Sequence, residues 1–78
     1  MTREHDFDAG DLGCGTGLPR AFAEQMRAIP VGDILRASVA DPAAREDLPA
    51  LARMLGHRIH AIEDGPDGRL LITVERLK

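Results

Sequence analysis

The chain has 78 residues, room for one domain over residues 1–78. A domain of this size buries only about 60% of the surface its unfolded chain exposes. A net charge of −3 with acids and bases interspersed argues against general nucleic-acid binding. No apolar run approaches the roughly 20 residues that span a bilayer, and the charged start Met1-Thr2-Arg3-Glu4-His5-Asp6 is unlike a signal peptide. A single cysteine, Cys14, closes no internal disulfide, which suits a reducing compartment. The expectation is a cytoplasmic protein with no membrane and no direct nucleic-acid partner.

In chain order the sequence reads β-α-β-α-β-β. Residues 4–8 alternate His5 and Phe7 against acids, as a short edge strand does. The next stretch, Ala9 to Gly17, holds four glycines in nine positions and predicts a close-turning loop. Thr16 is the expected N-cap of the first helix, with Pro19 in its first turn. Leu18, Phe22, Met26 and Ile29 recur at helical spacing and form one apolar stripe. Arg20, Glu24 and Arg27 fall off that stripe. Pro30 and Gly32 end the helix.

Residues 33–40 predict a second strand, with Leu35, Ala37 and Val39 on one face. Asp41 is the expected cap of the second helix, and Pro42 its first residue. Leu48, Leu51, Ala52 and Leu55 make its buried face. Pro49 implies either a helix starting near Leu48 after a lead-in turn or a distorted first turn. Gly56 is the stop. In residues 57–64, Ile59 and Ala61 alternate against His60 and Ile62. The turn Gly65-Pro66-Asp67-Gly68 then leads to a strand with Leu70, Ile72 and Val74 on one face. The fold class is α/β (α+β), a two-layer sandwich. A four-stranded mixed sheet carries both helices on one face.

The ordered set of residues at the joints resembles the TusA/SirA family of small sulfur-carrier proteins. Phe7-Asp8 leads through a Gly/Leu loop to Cys14. Val31-Gly32-Asp33-Ile34-Leu35 is similar to the family's helix exit and second strand. Asp41-Pro42-Ala43, then Glu46-Asp47-Leu48-Pro49, is similar to its second-helix signature, and Gly56-His57 to its exit into the third strand. The family's Cys-Pro-x-Pro is here Cys14-Gly15-Thr16-Gly17. The resemblance implies that Cys14 holds sulfane sulfur as a persulfide. It also implies two partners: a cysteine desulfurase or other sulfur-donor protein, and a sulfur-acceptor protein.

The residues themselves are compatible with that chemistry. A thiol beside a helix N-terminus faces unpaired N–H groups and the positive end of the dipole, so its pKa can fall below the free value of about 8.5. Gly13, Gly15 and Gly17 leave access open, and their N–H groups, with Thr16, shape an anion-holding loop. Arg20 and Arg27, on the helix that follows, are the candidates for partner docking. No metal or organic cofactor is required. A lone cysteine is also often a small apolar plug. An alternative is therefore a non-catalytic interaction or regulatory module that keeps the fold.

Other chemistries find less support. The glycine loop lacks the Lys-Ser/Thr ending of a phosphate-binding loop. His5, His57 and His60 have no zinc-like spacing. His57 is expected to cap the second helix and His60 to sit on a strand surface. Asp41, Glu46 and Asp47 complement a helix dipole.

Overall fold

Alternation of aliphatic and polar residues in three of the strands and two amphipathic helices leave one way to bury the apolar side chains. A computed structural model, which describes residues 2–13 and 15–78, shows that arrangement. In chain order the elements are β1 (Glu4–Asp8), α1 (Leu18–Ala28), β2 (Ile34–Val39), α2 (Ala44–Met54), β3 (Arg58–Asp64) and β4 (Leu70–Glu75). The strands form one sheet in the order β1-β2-β4-β3. β1 runs parallel to β2, and the other neighbours are antiparallel. The α/β sandwich with a four-stranded mixed sheet is as the sequence predicts.

The core is a single layer between sheet and helices. Leu18, Phe22 and Met26 of α1 are fully buried, with Ile29 just beyond it. They meet Leu35, Ala37 and Val39 of β2, Leu70, Ile72 and Val74 of β4, and Ala44, Leu48 and Ala52 of α2. The partner residues in register share that face: Leu35 opposes Val74, Ala37 opposes Ile72, and Val39 opposes Leu70.

Local chemistry places the ends of the elements, and several differ from expectation. Thr16 does not cap α1. Gly17 takes the N-cap position at φ 101°, a left-handed step that threonine adopts poorly, and makes no side-chain cap. α2 begins at Ala44 rather than Pro42. Asp41 instead accepts the Ala43 N–H through Oδ1 at 3.0 Å, holding a lead-in turn, and the Asp41 carbonyl accepts the Ala44 N–H. Pro49 lies inside α2, so the helix does not start near Leu48. The helix opens tightly, with the Ala43 carbonyl accepting both the Glu46 and Asp47 N–H groups.

Gly56, at φ 88°, ends α2 as expected. The His57 N–H donates to the Ala52 carbonyl at 2.8 Å and the Gly56 N–H to Arg53 at 3.0 Å, a Schellman closure. The imidazole of His57 does not cap the helix. Its Nδ1 accepts the Leu77 N–H at 3.3 Å and ties down the C-terminal segment.

β3 contains the largest departure. The register slips between Ile59 and Ala61: Ile59 opposes Val74, Ala61 opposes Thr73, and Ile62 opposes Ile72. His60 is the extra residue of a β-bulge. Ile59 and Ile62 therefore share the core face, contrary to the simple alternation. His60 is freed to meet Glu75, with Nε2 and Oε1 2.7 Å apart.

Candidate functional site

Because β1 and β2 are parallel, the loops that follow them leave the sheet at the same end. That is the end at which α/β folds gather ligand-binding residues. The N-termini of α1 and α2 and the turn before β4 lie there too. The loop from Ala9 to Gly17 is built in two steps. Asp8 Oδ1 first accepts the Gly10 N–H at 2.8 Å, with Gly10 at φ 58°. Buried Ala9 donates its N–H to the Ser38 carbonyl at 2.9 Å, and the Leu12 N–H closes on the Ala9 carbonyl.

Gly13 and Thr16 then close the second turn on each other. The Gly13 N–H donates to Thr16 Oγ1 at 2.7 Å, and the Gly13 carbonyl accepts the Thr16 and Leu18 N–H groups at 3.0 Å. Thr16 thus acts within the loop rather than on the helix. Cys14, the residue between these partners in sequence, lies outside the described residues. A Cβ on Gly13 would come within 2.9 Å of Asp41 Oδ2, so a carboxylate from the β2–α2 turn presses on the loop here. A Cβ on Gly15 or Gly17 would meet nothing within 4 Å. Both glycines are exposed.

The structure brings Gly13, Gly15, Thr16 and Gly17 together and places Arg20 close by in the first turn of α1. Arg20 is 87% exposed and pairs with Glu24 at 3.1 Å. Arg27 is in the last turn, about 10 Å farther along the axis at 1.5 Å per residue. It does not join the loop. The histidines are dispersed: His5 lies 2.8 Å from Asp33, His57 beside Leu77 and His60 beside Glu75. Among the described residues no three His, Asp or Glu side chains converge to hold a metal ion.

Further residues shape this end of the fold without having been singled out for it. Arg69 Nη1 donates to Asp8 Oδ1 at 2.9 Å and to Ser38 Oγ at 3.3 Å. The Gly10 N–H and the Arg69 guanidinium hold the Asp8 carboxyl below its ordinary range. Asp8-Ala9-Gly10 carries a local turn signal that sequence reasoning can find. Asp41 against Gly13, and Arg69 against Asp8, join residues far apart in the chain and leave no local pattern.

At the opposite end Asp33, the only buried polar residue among the described residues, accepts from the Arg3 N–H and pairs with His5. The hydrogen bond from His5 chiefly holds its carboxyl below the usual range. No described helix is long and apolar enough to cross a membrane.

No family model matches the chain. It is 28% identical over 76 residues to a protein of Pseudomonas syringae pv. syringae (strain B728a) named Sulfur carrier protein TusA. The alignment takes in 97% of this chain and 88% of that protein.

Proposed function

We propose that this chain, which is TusA-like over nearly its whole length, is a sulfur carrier that holds sulfane sulfur on Cys14 and passes it between two proteins. The observation that carries the reading is the similarity to a named sulfur carrier along 97% of the chain. The exposed Gly15 and Gly17, which follow position 14, support it, since both exchange steps need a protein surface to reach the sulfur.

The chemistry requires only thiols. The Cys14 thiolate attacks the outer sulfur of a persulfide on a donor such as a cysteine desulfurase. A new S–S bond forms at Cys14, the donor's S–S bond breaks, and the donor cysteine leaves as a thiolate with the electron pair of that bond. The proton on the outer sulfur travels with it or is lost to solvent. An acceptor thiolate then repeats the attack, and Cys14 leaves as a thiolate. No net oxidation or reduction occurs, and no metal or organic cofactor takes part. The positive end of the α1 dipole favours the anionic sulfur; of the N–H groups at the helix start, that of Leu18 is held by the Gly13 carbonyl and Pro19 has none.

Arg20 and Arg27 serve partner docking in this reading. Arg20 stands at the loop end of α1, so Arg20→Glu should slow sulfur loading more than Arg27→Glu does. The altered Cys14-Gly15-Thr16-Gly17 motif favours a second reading, a non-catalytic interaction or regulatory module. The two are separated by incubating the protein with a cysteine desulfurase and cysteine and recording its intact mass. The carrier gains sulfur that a thiol reductant removes, and Cys14→Ser gains none. Wild-type protein that stays unmodified, or an adduct that persists in Cys14→Ser, overturns the carrier reading.

A further inference from the structure

The loop from Ala9 to Gly17 leaves β1 at Asp8, and Asp8 is held from two sides. Its Oδ1 accepts the Gly10 N–H at 2.8 Å, which sets the first turn of the loop, and the same oxygen accepts Arg69 Nη1 at 2.9 Å. Arg69 is 61 positions away in sequence, just before β4. Its Nη1 also donates to Ser38 Oγ at 3.3 Å, on the strand between β1 and β4. One guanidinium thus spans the loop ends of β1, β2 and β4. The backbone continues the same brace, since the Ala9 N–H donates to the Ser38 carbonyl.

β1 needs such a tie. It is an edge strand with a neighbour on one side only, so the register of β2 alone would leave its loop end free to fray. The ion pair on its own is half exposed and contributes little to stability. Its geometric effect is larger, because the turn at Gly10 starts from the atom that Arg69 holds.

We propose that Arg69 is a positioning residue for the Cys14 loop: through Asp8 it fixes the point and direction at which the chain leaves β1. This rests on the carrier reading for its consequence, not for its geometry. Asp8→Asn keeps an oxygen for the Gly10 N–H while removing the charge that draws Arg69. Arg69→Met removes the brace and keeps an unbranched apolar stem.

The test compares wild type, Arg69→Met, Arg69→Lys, Asp8→Asn and the Asp8→Asn/Arg69→Met double variant. Three quantities are read for each: the unfolding midpoint, the alkylation rate of Cys14 by a small neutral reagent, and the rate of sulfur loading from a cysteine desulfurase. A misplaced reacting group costs on the order of tenfold or more, so loading should slow about tenfold in Arg69→Met while the unfolding midpoint moves little. Arg69→Lys should recover part of the rate. The double variant should be no slower than Arg69→Met, because both changes cut one connection.

Alkylation reports the loop without any sulfur donor. A changed alkylation rate in Arg69→Met, with no sulfur loading even in wild type, sustains the brace and refutes the carrier. An alkylation rate equal to that of wild type in Arg69→Met overturns the brace. So does a loading loss that tracks the unfolded fraction, or a double variant whose losses multiply.

Discussion

At the scale of single residues, the glycines of the loop differ in what they do. Gly17 is needed for its φ of 101°, Gly13 for the space that Asp41 Oδ2 fills, and Gly15 has neither constraint. Gly17→Ala should therefore cost about 1–3 kcal/mol, the range for backbone strain at such a position. Gly13→Ala should cost about 1–2 kcal/mol, because the Asp41 carboxylate must shift while its Oδ1 holds the Ala43 N–H. Gly15→Ala should stay within about 0.5 kcal/mol of wild type. Urea unfolding of the three variants ranks them, and a Gly15→Ala cost above that of Gly17→Ala contradicts the assignment. The sequence announced a glycine loop but not this division of labour, since φ at 17 and the nearness of Asp41 at 13 are products of the folded chain.

Two ionisable residues give pH dependences of defined sign. The Asp33 carboxyl is held below its usual value of 3.8, chiefly by the hydrogen bond from His5. Its contribution to stability is present above that value and is lost as pH falls through the lower folded pKa. The destabilisation of Asp33→Asn seen at pH 7 should therefore shrink in strong acid. His57 is lowered from 6.5, first by burial and then by the Arg76 and Lys78 charges. Neutral imidazole is the form that folds best, so its contribution is complete above 6.5 and declines as pH falls through the folded pKa. Proton NMR should place the His57 midpoint below 6.5. A midpoint above 6.5 would mean that the Leu77 N–H is not what the ring holds.

At the scale of elements, periodicity made most of the fold legible. The stripe Leu18, Phe22, Met26, Ile29 and the alternations in β2 and β4 are set by local spacing, and the structure buries them as written. What failed to show were places where tertiary geometry overrides the local signal. Pro49 lies inside α2, where local propensity would have ended or kinked the helix. The bulge at His60 shifts β3 by one residue, and nothing in Ile59-His60-Ala61-Ile62 marks it. The bulge makes a discriminating prediction. Deleting His60 removes the extra residue and leaves Ile59 and Ile62 on one face, so the variant should keep a native-like circular dichroism spectrum. Deleting Thr73 turns part of β4 over against β2 and β3 and should abolish folding. Equal tolerance of both deletions would contradict the register.

α1 also depends on a distant element at its far end. Arg76 Nη1 donates to the Arg27 carbonyl at 3.0 Å and to the Ile29 carbonyl at 2.6 Å, closing groups that the helix terminus leaves open. Arg76→Met should cost about 1–2 kcal/mol in urea unfolding, with faster amide exchange confined to the last turn of α1 and the segment after it.

At the scale of the whole molecule, the fold separates two tasks. One end holds the start of β1, the end of β4, the Asp33–His5 pair and the Arg76 ties. The other gathers the loop of Gly13, Gly15, Thr16 and Gly17 with Asp8, Asp41 and Arg69. The apolar layer between them is thin, and Phe22 is its largest fully buried side chain. Phe22→Ala should cost about 3–5 kcal/mol, a large share of the ~5–15 kcal/mol that stabilises an ordinary domain. The TusA-like character of the chain was legible in the sequence. The brace from Arg69 and the pressure of Asp41 were not, because they come from strands and turns that meet only in the fold.

If Cys14 holds transferable sulfane sulfur, as proposed, cyanide should strip it as thiocyanate from the loaded, donor-free protein. Close to one thiocyanate should be released per wild-type chain and none from Cys14→Ser. Release from Cys14→Ser, or none from wild type after exposure to a working cysteine desulfurase, would contradict it.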